Sequence, residues 1–173
     1  MRVLGIDPGY AIVGWGVTDY TGNRFSPVAF GAVTTEARVA FERRLAQVYD
    51  GVLEVMRTHQ PEALSIEQLF YQHNQTTVIG VAEARGVILL AAAQCGLPVF
   101  EYTPMQVKQA VAGYGGADKR QVMLMTQRLL NMKQIPRPDD AADALAIAIC
   151  HGRSATSLLN TERVFDPNRY DTR

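Results

Sequence analysis

The chain has 173 residues, 47% of them hydrophobic, with 17 basic and 17 acidic side chains that cancel to zero net charge. That length suits one domain with a substantial core. No apolar run reaches the roughly 18 residues of a membrane span, and the segment after Met1 has no signal-peptide layout, so a cytoplasmic protein without membrane contact is expected. The two cysteines, Cys95 and Cys150, lack metal-ligand spacing and read as reduced thiols.

Residues 2–7 read as a buried strand that runs into the turn signal Asp7-Pro8-Gly9. Residues 11–19 carry Ala11, Ile12, Val13, Trp15 and Val17 and form the next strand. Thr21-Gly22-Asn23 is a second turn, and a third strand is predicted over 24–35. Three strands on short turns make an antiparallel meander. In 38–59, Phe41, Leu45, Val48, Val52, Val55 and Met56 recur at helical spacing, and Pro61 marks the helix exit. A fourth strand covers 63–67, a helix covers 75–95, and Gly96-Leu97-Pro98 leads to a fifth strand at 99–102. Thr103-Pro104 offers an N-cap and a first-turn proline for a short helix ending near 112. The flexible loop Gly113-Tyr114-Gly115-Gly116 precedes helices over about 118–132 and 140–152. Long helical crossovers imply parallel pairing of the strands they join. The expected fold is α/β, a mixed five-stranded sheet flanked by helices on both faces. One domain at 1–153 is expected, followed by a polar, mobile tail at 154–173.

Four acids carry the chemical signal. Asp7 ends the first strand, Glu67 ends the fourth, and Asp140 and Asp143 lie three apart at the start of the last helix. Hard divalent cations take oxygen ligands, and two of them can clamp a phosphate during in-line displacement. Plainer readings exist for each acid. Asp7-Pro8-Gly9 fits a type II turn, a strand-end glutamate is often an edge residue, and first-turn aspartates suit a helix dipole. Asp139 reads as the helix N-cap and not as a ligand. Alanines at 141, 142, 144, 146 and 148 would let this helix approach the sheet closely. Such an approach is what bringing Asp140 and Asp143 toward Asp7 and Glu67 requires.

The zero net charge hides a basic stretch. Lys108, Lys119, Arg120, Arg128, Lys133 and Arg137 face only Asp118 between 105 and 137. This is either a phosphate-binding face or a solvated helix surface. His59, His73 and His151 have no metal-ligand spacing and read as surface or structural. The helix at 75–95 is apolar on more than one face, which fits either a twofold copy or complete burial.

An acid after the first strand, an acid after the fourth and paired acids on the last helix form the ribonuclease-H-like nuclease layout. Within it, Gly5-Ile6-Asp7-Pro8-Gly9, Ile66-Glu67-Gln68-Leu69-Phe70, Ala84-Arg85-Gly86 and Val99-Phe100-Glu101-Tyr102 keep a recognisable order. With Gln106-Val107-Lys108-Gln109-Ala110-Val111, Gly113 and Asp140-Ala141-Ala142-Asp143-Ala144-Leu145-Ala146, they resemble the RuvC family of bacterial Holliday-junction resolvases. The resemblance covers about residues 1–153 and makes them a nuclease domain. It implies a homodimeric endonuclease of recombination and repair that cuts four-way DNA junctions by paired nicks, beside branch-migration proteins of the RuvAB type. It implies two Mg²⁺ or Mn²⁺ ions held by Asp7, Glu67, Asp140 and Asp143. It assigns Lys108 and Lys119 to catalysis and DNA contact, and Phe70 to bases near the crossover. Arg120, next to Lys119, is a further candidate DNA contact.

Other functions are weighed against this one. Asp7-Pro8-Gly9 followed by Gly14 and Gly16 resembles the phosphate-gripping hairpin of actin-like and sugar-kinase ATPases. Those proteins trap nucleotide between two such domains, and 173 residues supply one. A protein that binds junctions without cutting them, or a related nuclease acting on RNA, is the alternative.

Overall fold

The antiparallel meander consists of β1 (Arg2–Asp7), β2 (Ile12–Thr21) and β3 (Arg24–Thr34). The β2–β3 turn needs two residues in left-handed conformation, and Gly22 and Asn23 supply them at φ 53° and 71°. There follow α1 (Phe41–His59), β4 (Ala63–Glu67), α2 (Gln75–Gln94) and β5 (Val99–Tyr102). The chain then enters α3 (Pro104–Ala112), α4 (Lys119–Leu129) and α5 (Asp139–Thr156). This computed structural model describes residues 1–69 and 75–156. Phe70, His73 and positions 157–173 of the expected tail lie outside the described residues.

The sheet order is β3-β2-β1-β4-β5, with β1 antiparallel to β2 and parallel to β4, and β4 parallel to β5. This is the expected mixed five-stranded α/β sheet. Strand alternation sends Leu4, Ile6, Leu64 and Ile66 to one face, where they form a core with Val48, Val52 and Met56 of α1 and Ile88, Ala91 and Ala92 of α2. A partly buried ion pair between Arg85 and Glu101 ties α2 to edge strand β5. The opposite face receives α5, and α3 and α4 pack around it through Val107, Val111, Val122, Leu145 and Ile149.

The fit of α5 follows from small residues on both sides. From Ala141 to Cys150 every residue except Asp143 is buried. A Cβ at Gly5 would meet the Ala144 carbonyl at 2.0 Å, one at Gly14 the Asp140 carbonyl at 2.1 Å, and one at Gly16 Leu145 Cγ at 2.6 Å. The helix therefore lies almost backbone against backbone on β1 and β2. The hydroxyl of Ser65 donates to the Ile147 carbonyl at 2.9 Å and pins α5 to β4 as well. Gly14 and Gly16 admit a helix here and are not the phosphate hairpin of the ATPase reading.

Four helix ends differ from the sequence-based expectation. Residues 38–40 precede α1, because the carbonyl of Ala40 is the first to accept helical bonds, from Arg43 and Arg44. α4 stops at Leu129, with Asn131 turning left-handed at φ 50°. Asp139 is not the cap of α5: the Pro138 carbonyl accepts from the Ala141 and Ala142 N–H groups, and the Asp139 carboxylate pairs with Arg137. At its other end α5 continues through Thr156.

Candidate active site

β1 and β4 run parallel with Ile6 opposite Ile66. Their next residues, Asp7 and Glu67, therefore end neighbouring strands at the same edge. Gly5 and Ser65, two residues earlier, both meet α5. Strand periodicity directs Asp7 and Glu67 to that same face. The first turns of α5 arrive there too: Gly14, paired with Asp7 across β1–β2, is the residue pressed on Asp140. Asp143, one turn further, stays partly open to solvent within an otherwise buried run.

Beside these acids lies a cleft of about 210 Å³ lined by Glu67, Asp143, Lys108 and Lys119, with Pro104, Val107, Val122, Ala146 and Ile147 as its apolar wall. Both lysines stand on helices with reciprocal caps. The Thr103 side chain accepts from the Gln106 N–H at 3.1 Å and the Gln106 side chain accepts from the Thr103 N–H at 2.8 Å, which starts α3. Asp118 and Gln121 repeat the arrangement at α4, at 2.8 and 2.9 Å. Each pair satisfies helix-end donors that have no intrahelical partner. Lys119 Nζ sits 3.0 Å from Asp143 Oδ2. Arg120 is exposed and takes no part in the cleft wall.

The acids are electrostatically one system. Burial pushes Asp7 up to about 7, and the charges of Glu67, Asp143 and Asp140 push the same way, with Lys119 opposing them. Burial and Asp143 raise Glu67, while Lys108 holds it down. Asp143 is raised by burial against the bond from Lys119. Lys119 is raised in turn, chiefly by that bond. Among the described residues, the acids are not drawn into a closed group of three or more metal ligands. Their chemistry nonetheless fits a divalent cation. They are hard oxygen donors converging from strand and helix, and Asp7, Glu67 and Asp143 are disfavoured as anions first by burial and then by neighbouring acids. A cation among them would reverse that penalty.

Two features of the surroundings gave no periodic signal in the sequence. The loop that follows Asp7 is clamped: the Arg44 guanidinium lies over the Tyr10 ring at 4.9 Å, and its Nε donates to Thr35 Oγ1 at 2.8 Å. Thr35 Oγ1 donates in turn to the Tyr10 carbonyl at 2.6 Å. His151 is buried with Nδ1 2.8 Å from the Tyr102 hydroxyl, and burial lowers its pKa to about 4. It is a neutral structural residue, as the reading of the histidines expected.

A family model described as "Crossover junction endodeoxyribonuclease RuvC" matches residues 3–151. The protein of that description from Caldanaerobacter subterraneus subsp. tengcongensis is 53% identical over 158 residues, covering 91% of this chain and 96% of the relative. Its counterpart from Desulfitobacterium hafniense is 54% identical over 160 residues, with coverage of 92% and 96%. A solved structure, "T. thermophilus RuvC in complex with Holliday junction substrate", matches with a TM-score of 0.85 at 39% identity, over 90% of this chain and 94% of that one. With a ribonuclease-H-like sheet and its acids at one edge, this chain belongs to the RuvC family of crossover junction endodeoxyribonucleases.

Proposed function

We propose that Asp7, Glu67, Asp140 and Asp143 are the catalytic centre of a resolvase that hydrolyses phosphodiester bonds in four-way DNA junctions by paired, symmetric nicks. One observation carries this reading: acids from the first strand, the fourth strand and the last helix gather at one sheet edge beside a cleft walled by two lysines. RuvC-family nucleases depend on divalent metal, and here we assign two ions, Mg²⁺ or Mn²⁺, to the four carboxylates. When bound, they supply Lewis acidity to the attacking water and to the leaving oxygen.

The protein's own groups do the rest. Asp7 and Glu67 present oxygens from the rigid sheet, and Asp140 and Asp143 present theirs from the facing helix. Lys119 can exchange its contact with Asp143 for a phosphate oxygen, and Lys108 stands in the same cleft wall to stabilise charge at that phosphate. Arg120 extends the backbone contact outward. No side-chain nucleophile is required. Phe70, three residues past Glu67, is assigned to bases near the crossover, and the nuclease domain to residues 1–153.

The chain acts as a homodimer in this reading. Ile79 and Leu90 of α2 are 61% and 51% exposed, and Ala82, Gly86 and Ala93 share their helix face. A stripe of that kind, apolar but for the exposed Glu83, suits a twofold-related copy. The working location is the cytoplasm, alongside branch-migration proteins of the RuvAB type; among the described residues no helix is long and apolar enough to cross a membrane. The deciding experiment is strand-resolved cleavage of a mobile four-way junction with and without Mg²⁺ or Mn²⁺, with an RNA–DNA hybrid in parallel. Paired nicks in strands of like polarity are expected. Binding without metal-dependent nicks, or preference for the hybrid, would overturn the assignment.

A further inference from the structure

The loop from α3 to α4 exposes apolar surface that neither the acids nor the lysines use. Tyr114 is 47% exposed and Met105 is 69% exposed. A Cβ at Gly115 would meet Met105 Cγ at 2.7 Å, so the loop folds back onto the first turn of α3, and the residue next to Tyr114 in the chain forms one patch with Met105. That patch borders the cleft. Pro104, next to Met105, lines it, as do Lys108 on the same helix and Lys119 just beyond the loop.

Tyr114 is held in place without being buried. Its hydroxyl donates to Gln121 Oε1 at 2.6 Å, and the same oxygen accepts the Asp118 N–H at 2.9 Å in the cap of α4. The ring is thus tied to the turn that carries Lys119. It belongs to neither core cluster. A stiffly mounted aromatic face beside phosphate-binding lysines matches a ligand with a flat apolar face next to a phosphate. An unstacked nucleobase has that shape, and stacking on an aromatic ring accepts any base. At the crossover of a four-way junction the continuous stack is interrupted, so such bases are at hand.

We propose that Tyr114, backed by Met105, is a stacking platform for an unstacked DNA base flanking the cleaved phosphate. The inference rests on the nuclease reading above. Stacking, unlike a lysine–phosphate contact, releases no counterions, so it adds affinity without steepening the salt dependence.

The test compares Tyr114→Ala and Tyr114→Phe with the parent. Junction affinity is read at several salt concentrations without divalent metal, and 2-aminopurine is placed beside the cleavage position. Tyr114→Ala should weaken binding roughly tenfold with an unchanged log–log salt slope, and should lose the quenching of 2-aminopurine. Tyr114→Phe keeps the ring and should retain most of both. Both variants should melt close to the parent. Unchanged affinity and quenching in Tyr114→Ala, with a parent that cuts junctions, overturns the platform and leaves the nuclease reading standing. Equal losses in the Phe variant with a lowered melting temperature also overturn it, since the ring would then only close the loop. A parent that neither binds nor cuts junctions removes the nuclease reading, and the platform with it.

Discussion

Gly14→Ala is the sharpest test of how the catalytic edge is built. The added Cβ would lie 2.1 Å from the Asp140 carbonyl oxygen, 2.4 Å from its carbon and 2.9 Å from Asp140 Cβ. Ordinary contact begins at 3.4 Å, so the start of α5 must recede from β2 by at least about 1.3 Å. Asp140 then moves away from Asp7, the residue opposite Gly14 in the register. Overpacking of this kind costs roughly 1–3 kcal/mol, and in a domain of this size each kcal/mol lowers the melting temperature by about 2–4 °C. The variant should therefore fold, melting about 2–12 °C below the parent. Misplacement of a catalytic group by about 1 Å can cost on the order of a hundredfold in rate. Single-turnover cleavage at a temperature where both proteins are folded should fall by about that factor, while junction affinity, which we assign to α3 and α4, should stay near normal. Parent-like turnover in Gly14→Ala would refute the close approach of helix and sheet as the basis of the site. Equal loss of binding and cutting would show that the substitution damages the whole fold.

Asp7→Asn, Glu67→Gln, Asp140→Asn and Asp143→Asn should each abolish metal-dependent cleavage and leave junction binding largely intact; a variant with near-normal turnover removes that acid from the site. Asp139→Asn should be tolerated, because the carboxylate makes only an exposed pair with Arg137; losing activity there would place Asp139 among the metal ligands. The raised pKa of Asp7, about 7, lies above its unfolded value near 3.9. The native state thus keeps its proton longer, and in metal-free protein this contribution to stability is complete below about pH 4 and lost as pH rises through 7. Asp7→Asn should accordingly raise the melting temperature at pH 8 and bring little gain at pH 4.5, whereas an equal difference at both pH values would contradict burial as the cause. Lys108→Ala or Lys119→Ala should flatten the dependence of log affinity on log salt by about 0.9 for each phosphate left unneutralised, or slow cutting selectively if the lysine acts on the reacting phosphate. Salt-independent affinity in the parent would sink the electrostatic account.

Much of this fold is legible in the sequence because its signals are local. The meander shows in Gly22-Asn23, α1 in the spacing of Phe41 through Met56, and α3 in Thr103-Pro104. The four acids are legible as strand-end and helix-start residues. Less legible is why they meet. Gly14 and Gly16 suggest a phosphate hairpin when read along the chain, and only the packing of α5 across β1 and β2 reveals them as gaps left for a helix backbone. The cap of α5 misleads for a similar reason: Asp139 is a good capping residue by type, but the carbonyl that receives the first helical bonds belongs to Pro138. The Arg44–Tyr10–Thr35 clamp and the Lys119–Asp143 pair join residues with no shared periodicity, so nothing in the pattern announces them.

Asp7 stands on the first strand and Asp143 on the last helix, with α5 inserted along the middle of the sheet. The proposed catalytic centre therefore cannot exist in part of the chain. A growing polypeptide that has completed every strand and the first four helices still lacks half of the proposed acids, so in this reading a nascent chain cannot cut DNA until α5 has docked. The same geometry separates loss of function from loss of fold. Opening α5 at its first turn would silence the nuclease while both parallel strand pairs and the α1–α2 layer stay intact, so cleavage reports on the seating of one helix.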